Sequence, residues 1–187
     1  MDCVECGERV ELPARRRTGK YCSGACRQAA YRRRRRDKAR GVPSWLRAGV
    51  QWTRADGKRP VMPNGRAASS TDPATWGSYA DVQDGAGDGY GVMLGGGLAC
   101  IDLDNCFVDG ELSPFAEGII EMNAGAYVEV SLSGNGLHIF GEFPEVSGVR
   151  RPGFEFYSRA RFIRVTGDVF RGLCGAGGVV SLNVPGV

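Results

Sequence analysis

Two carboxylates stand one residue apart in an apolar run, Ala99-Cys100-Ile101-Asp102-Leu103-Asp104. Side chains alternate across a strand, so Asp102 and Asp104 share one face while Ile101 and Leu103 point into a core. Two like charges on one buried face are costly unless a cation joins them. Two hard oxygen ligands are what magnesium or manganese takes, with polyphosphate oxygens completing the shell. The pair therefore reads as a divalent-metal site for nucleotide chemistry; the plainer reading is two strand-end carboxylates capping a loop.

A second metal chemistry is written at the N-terminus, where Cys3-x-x-Cys6, a fifteen-residue spacer and Cys22-x-x-x-Cys26 set four thiols in two close pairs. That pattern satisfies tetrahedral zinc, and an odd total of seven cysteines argues against a disulfide framework. Gly7 suits the tight turn of a zinc knuckle, and the second pair opens a helix-favouring run, Arg27 to Tyr31. The order looks like a small treble-clef or ribbon finger. A finger of this size needs zinc merely to fold. The charge beside it points further: Arg32, Arg33, Arg34, Arg35 and Arg36 are consecutive, and such a run repels itself until phosphates arrive. The alternative is a solvated basic arm, and no base-reading pattern accompanies it.

Downstream, Tyr127 to Ser133 reads as a strand with Tyr127, Glu129, Ser131 and Ser133 on one face, where Glu129 is either an auxiliary acid or structural. Ser133-Gly134-Asn135-Gly136 reads as a loop small enough for main-chain amides to approach a ligand. His138, the only histidine, follows between apolar Leu137 and Ile139. A lone histidine is ordinarily a satisfied core or surface residue. Phe154-Glu155-Phe156-Tyr157 is a further strand with Glu155 and Tyr157 on one side. Arg161 and Arg164 fall on opposite faces of the strand after it, which favours Arg161 alone as a phosphate or template contact.

The elements that must position these groups follow from punctuation. Gly41-Val42-Pro43-Ser44 breaks any helix and marks a boundary between a zinc finger with a basic helix, residues 1–41, and an α/β domain, residues 42–187. Asp72-Pro73 caps a short helix. Tyr90–Leu94 and Leu98–Asp104 are strands joined by Gly95-Gly96-Gly97, a hairpin turn rather than a phosphate loop because no Lys-Ser or Lys-Thr and helix follow. Pro114–Asn123 is a helix expected to pack Phe115, Ile119, Ile120 and Met122 against the sheet. Beyond Arg171 the chain is glycine-rich and gives no clear element.

Charge separates the same two parts. Residues 1–41 carry 13 Lys or Arg against 5 acids and residues 42–187 carry 11 against 16, so +8 and −5 balance to the +3 of the whole chain. The first part seeks polyanions, whereas the acids of the second suit metal ligation, since bound cations invert the local sign. No apolar run approaches the ~18 residues of a membrane span and no signal peptide opens the chain, so a cytoplasmic protein without membrane partners is expected.

Taken in order, the paired acids, Ser133 to His138 and Glu155 resemble the three motifs of the archaeo-eukaryotic primase superfamily. They are most similar to the bifunctional primase-polymerase domains of phages, plasmids and integrative elements. Lys58-Arg59-Pro60 through Trp76 also resembles the upstream segment of these domains. The resemblance implies an RNA-recognition-motif-like palm with a mostly antiparallel sheet. It implies two magnesium or manganese ions on Asp102, Asp104 and Glu155, and an incoming triphosphate positioned by His138 and Ser133 with Gly134 and Asn135 nearby. Template-directed nucleotidyl transfer follows, on single-stranded or primed DNA with nucleoside triphosphates, alongside a separate helicase. The spacing Ser-Gly-Asn-Gly-Leu-His is longer than the family's compact small-x-His, and a further C-terminal helix is lacking, which leaves a minimal or truncated version. Two other classes stand beside it. One is a metal-dependent nuclease, against which Lys58, the nearest lysine, lies over forty residues upstream. The other is a non-enzymatic zinc-finger DNA-binding regulator carrying a degenerate body.

Overall fold

The structure, a computed structural model, describes residues 2, 3, 5–10, 20–29, 41–170 and 178–187. Two compact units divide the chain, Met1–Arg40 and Gly41–Val187. The run Arg32–Arg36 lies outside the described residues.

The N-terminal unit is built around its cysteines. Gly7 takes φ +76°, which lets its amide donate to the Cys3 carbonyl at 2.8 Å while the Cys3 amide donates to Glu8 at 2.7 Å. Residues 24–29 are helical, and the Ser23 hydroxyl accepts from the Cys26 amide at 3.1 Å, an N-cap that fixes the second cysteine pair.

The larger unit is a mixed α/β fold dominated by antiparallel sheets. Its strands are β1 (Trp52–Asp56), β2 (Arg59–Val61), β3 (Gly89–Leu94), β4 (Leu98–Leu103), β5 (Phe107–Val108), β6 (Glu111–Leu112), β7 (Tyr127–Val130), β8 (Leu137–Glu142), β9 (Val149–Arg151), β10 (Phe154–Tyr157) and β11 (Arg161–Val165). They form a five-stranded sheet in the order β7-β8-β4-β10-β9, a four-stranded sheet in the order β11-β3-β1-β2, and the small pair β5-β6.

Alternation along β4 decides what each face meets. Ala99, Ile101 and Leu103 face a core shared with Val128, Leu137, Ile139, Phe154 and Phe156 and with Ala116, Ile119 and Ile120 of the helix Pro114–Met122. Cys100, with Tyr127 and Phe140, faces a second core against Trp52, Val92, Leu94, Ile163 and Val165 of the other sheet. Pro114 at the first turn and the Ser113 hydroxyl accepting from Ala116 start the helix. Its buried stripe is Ala116, Ile119 and Ile120, while Phe115 and Met122 are exposed. The apolar pattern alone would pack both inward, but at 100° per residue they fall together on one flank of that stripe, where Phe115 still meets the Phe154 ring of the sheet edge-on at 6.2 Å. Replacing the fully buried Ile101 with Ala is expected to cost about 2–5 kcal/mol. Urea denaturation with an unchanged slope checks this, and a cost under about 1 kcal/mol would place the sheet–helix core elsewhere.

The three glycines after β3 take φ +140°, +61° and +95°, a path only glycine follows without strain. The turn is present, but it is not a hairpin within one sheet: β3 belongs to the four-stranded sheet and β4 to the five-stranded one, joined by a single Gly95–Leu98 bridge. It thus carries the chain from one sheet to the other. Buried Arg54 of β1 organises the segment before β3 by donating to the carbonyls of Val82, Gly85, Ala86 and Gly87 at 2.8–3.2 Å. Of the stretch beyond Arg171, the described residues 178–187 have a place. Ser181 bridges Glu142, Leu182 and Val184 enter the first core, and Asn123 at the helix end exchanges hydrogen bonds with Asn183. Among the described residues no helix is long and apolar enough to cross a membrane.

Candidate functional site

Four adjacent strands contribute one polar residue each to a single row across the five-stranded sheet. Glu129 of β7 lies opposite His138 of β8, His138 opposite Asp102 of β4, and Asp102 opposite Glu155 of β10. Residues paired directly across strands project from the same face. One row away that face carries Tyr127, Phe140, Cys100 and Tyr157 toward the second core. At the acidic row it opens into a cleft of about 670 Å³, lined by Asp102, Asp104, Ser133 and His138 from one side and Lys58, Ser69, Arg161 and Arg164 from the other.

Three members of the row, Glu129, His138 and Asp102, approach one another through the histidine ring. His138 Nδ1 lies 3.1 Å from Glu129 Oε1, and His138 Nε2 lies 3.7 Å from Asp102 Oδ1. Burial alone would lower the His138 pKa; the hydrogen bond with Glu129, its charge and those of Asp102 and Asp104 reverse this and raise it. The Asp102 carboxyl is raised by burial, opposed by His138, and raised again by the charges of Asp104 and Glu155. Such a carboxylate lacks enough positive charge among its protein neighbours.

Glu155 sits at the other end of the row, where the Tyr157 hydroxyl donates to it at 2.7 Å and Arg150 and Arg161 each stand 3.5 Å away. The Arg161 guanidinium also lies over the Tyr157 ring, 4.5 Å from its centre. Arg161 therefore connects Glu155 to the cleft. Arg164, on the opposite face of β11, also reaches the cleft but is committed to structure: it donates to Asp88 Oδ1 at 2.6 Å and to the Gly57 carbonyl. That grip, with the Gly57 amide donating to Asp88 at 3.0 Å, fixes the turn that carries Lys58.

The fit to divalent cations rests on this donor set. Asp102 and Asp104 offer hard oxygens into one cleft, and the Asp102 pKa, raised first by burial and then by the charges of Asp104 and Glu155, marks a carboxylate that a cation would favour. Glu155 is on the neighbouring strand but engaged by two guanidiniums. Its carboxylate and those of the two aspartates do not all approach within 4.8 Å; among the described residues only the four cysteines gather ligand atoms that closely.

For those cysteines the separations speak for zinc. Cys6, Cys22 and Cys26 sulfurs lie 3.4–3.6 Å apart, near the ~3.8 Å expected between thiolates at ~2.3 Å around a tetrahedral ion. The Cys3 thiol is opposed by burial yet drawn down to about 6 by the amides of Cys22, Cys6 and Glu5. Cys6, lowered by the Glu8 amide, is nonetheless pushed up to about 12 by neighbouring thiols. Four sulfurs this close share negative charge poorly without a cation. The group is compatible with zinc.

Some residues singled out from sequence take other positions. Ser133 lines the cleft, but Gly134 and Asn135 do not: the Gly134 amide donates to the Ser131 carbonyl at 3.0 Å, the Asn135 amide to the Ser133 hydroxyl at 3.3 Å, and the Asn135 side chain to Asn105 at 3.1 Å. Those amides are spent within the turn. Three serines that contribute to the cleft, Ser69, Ser70 and Ser131, are not assigned to the site by sequence reasoning. Ser131 shares a 3.0 Å hydrogen bond with Ser133 and lines the cleft, as do Ser69 and Ser70. Alternation marks Ser131, two residues before Ser133, whereas nothing local marks the other two. Glu129 is fully buried behind His138, which keeps it from the cleft itself.

No family model matches the chain. It is similar to a DNA primase-polymerase of Nitratiruptor phage NrS-1, 32% identical over 133 aligned residues that take in 63% of this chain and 18% of that protein. The chain thus spans under a fifth of the length of this curated relative, and the similarity supports a relationship with primase-polymerases.

Proposed function

We propose that the larger unit is the catalytic domain of a DNA primase-polymerase, with the five-stranded sheet as its palm and template-directed nucleotidyl transfer as its reaction. The observation that carries this is the cross-strand row itself: acids and a histidine scattered through the chain stand side by side in the order Glu129, His138, Asp102, Glu155, and His138 and Asp102 open with Asp104 into one cleft. Asp102 and Asp104 would hold two magnesium or manganese ions, with Glu155 joining them by exchanging its arginine contacts. Bound there, such ions supply activation of a primer hydroxyl and neutralisation of the leaving pyrophosphate. The residues of the chain do the rest. His138 turns Nε2 toward the cleft to meet the triphosphate, the Ser131 and Ser133 hydroxyls offer further donors, and Lys58 and Arg161 supply positive charge from the facing wall. A zinc-bound finger and Arg32 to Arg36 grip the DNA template. A separate helicase would be a partner in replication of a phage, plasmid or integrative element.

A nuclease is the second reading, and one observation favours it. Lys58, remote in sequence, lines the same cleft as Asp102 and Asp104, where a lysine can orient water. End-labelled primer-template decides between them. Elongation that requires nucleoside triphosphates and a divalent metal supports the polymerase. Shortening without nucleotides would replace it with the nuclease, and binding without either reaction would leave the DNA-binding regulator.

The basic run has its own test. Replacing Arg32 to Arg36 with Ala is expected to weaken DNA binding alike on all sequences and to flatten its salt dependence, by up to about 0.9 in log–log slope for each duplex phosphate that is no longer neutralised. A slope equal to that of the parent protein would exclude these arginines from the interface.

A further inference from the structure

Behind His138 lies a carboxylate whose surroundings exceed what packing requires. Glu129 has no exposed surface, yet its two oxygens are fully claimed. The Tyr127 hydroxyl donates to Oε2 at 2.8 Å, the Gly167 amide to Oε2 at 2.9 Å, and the Thr166 amide to both oxygens at 3.0 and 3.1 Å. The histidine ring makes the fourth approach, Nδ1 to Oε1 at 3.1 Å. Three of these groups are donors that need lone pairs, so the only place left for a carboxyl proton is Oε1 facing His138 Nδ1, and a carboxyl, ordinarily the stronger acid, yields that proton to the imidazole. Burial first, then the charge of Glu129, raises the Tyr127 pKa, which keeps that hydroxyl a donor. With the carboxylate purely an acceptor, the hydrogen of the fourth contact belongs to His138 Nδ1.

The elements that hold Glu129 explain why it is rigid. β7 is an outer strand of its sheet, but after β11 the chain crosses from the other sheet and runs along its edge. Glu129 bridges Val169, the Val130 amide donates to Asp168 and the Phe170 amide to Val128. The crossing itself, Thr166-Gly167, supplies the two amides, and the Thr166 hydroxyl donates back to the Val130 carbonyl at 2.6 Å. Both sheets thus bear on one carboxylate, and through it on one imidazole.

We infer that Glu129 is a positioning residue: it holds the His138 proton on Nδ1 and so turns Nε2 to the cleft. Asp102 Oδ1 lies 3.7 Å from Nε2, so the ring spans the gap between a structural carboxylate and a site carboxylate and cannot rotate without losing the first. The consequence for activity rests on the reading of His138 as the group that meets the nucleotide. The orientation itself does not.

A single histidine makes the test unambiguous. In the full chain labelled with 15N-histidine, long-range proton–nitrogen correlation reads which ring nitrogen carries hydrogen, with no competing histidine signal. At a pH where the ring is neutral, hydrogen on Nδ1 alone is expected in the parent protein, and it should persist in Tyr127→Phe, which removes one donor without touching the ring. In Glu129→Gln the remaining donors keep the amide oxygen, the amide nitrogen turns toward Nδ1, and the proton is expected on Nε2. A parent ring protonated on Nε2 alone, or exchanging freely between tautomers, would overturn the inference even if the Gln variant fails to fold.

The activity arm separates the two readings. Glu129→Gln is expected to raise the nucleotide KM by on the order of tenfold with little change in primer-template affinity, and to add nothing further in a protein already carrying His138→Ala. Independent, additive losses would overturn action through His138. An Nδ1 proton in a chain that incorporates no nucleotide supports the orientation and removes the functional reading instead.

Discussion

Asp102→Asn is expected to lower nucleotide incorporation by on the order of a hundredfold or more while the protein stays folded and binds template as before. The carboxylate serves the reaction and burdens the fold. Its side chain is 18% exposed, burial and the charges of Asp104 and Glu155 raise its pKa, and only His138 and Lys58 oppose them. A carboxyl that is harder to ionise in the folded state than in the unfolded one makes the fold less stable as pH rises through the unfolded value. At neutral pH, removing its charge should therefore leave the urea midpoint unchanged or move it upward. Magnesium or manganese should raise the melting temperature of the parent protein and much less that of the variant, because a cation held by Asp102 stabilises only the folded state. A variant that melts early and loses activity would show a structural role. One that keeps incorporation would remove Asp102 from the reaction. His138→Ala should differ in kind, raising the nucleotide concentration required more than it lowers the rate at saturation.

The legibility of the fold and the cleft in the amino-acid sequence differs by residue. The Asp102–Asp104 face needs only the period of a strand, and both line the cleft. The Ser113 cap and Pro114 announce their helix, and its buried stripe follows from 3.6-residue spacing once Phe115 and Met122 are assigned to one flank. What cannot be read locally is register. That Glu129, His138, Asp102 and Glu155 stand in one row depends on how four strands slide against one another, and a shift of one residue in any of them would turn its side chain to the other core. Sheet membership is hidden for a similar reason. Gly95 to Gly97 looks the same whether it closes a hairpin or passes a chain between two sheets, since turn chemistry records φ and not the partner of each strand. Lys58 is the sharpest case. Its distance in sequence counts against the nuclease, but it reaches the cleft because Arg164 and Asp88, themselves far apart in the chain, clamp the turn that carries it.

The largest effect outside the cleft is expected from zinc. The N-terminal unit has little to hold it: among its described residues Cys3 and Val10 are the buried apolar ones, and so small a core does not fold a chain unaided. Four sulfurs within 4.8 Å of one another supply the missing free energy only when a cation joins them, so binding of the ion and folding of the unit are one event. About one zinc per chain is therefore expected in reduced protein, measured by metal analysis. Cys22→Ser should release it, and chelation should unfold the N-terminal unit. All three tryptophans, Trp45, Trp52 and Trp76, lie in the larger unit, and Trp52 is completely buried there. Tryptophan fluorescence and its urea transition should then be unmoved by chelation while amide exchange in residues 3–10 and 20–29 becomes fast. Nucleic-acid affinity should fall together with exchange protection if the folded finger presents the arginines, and should survive chelation if the basic run binds phosphates as an extended arm. Zinc-free reduced protein with a protected N-terminal unit would refute the metal assignment, whatever the cleft proves to do.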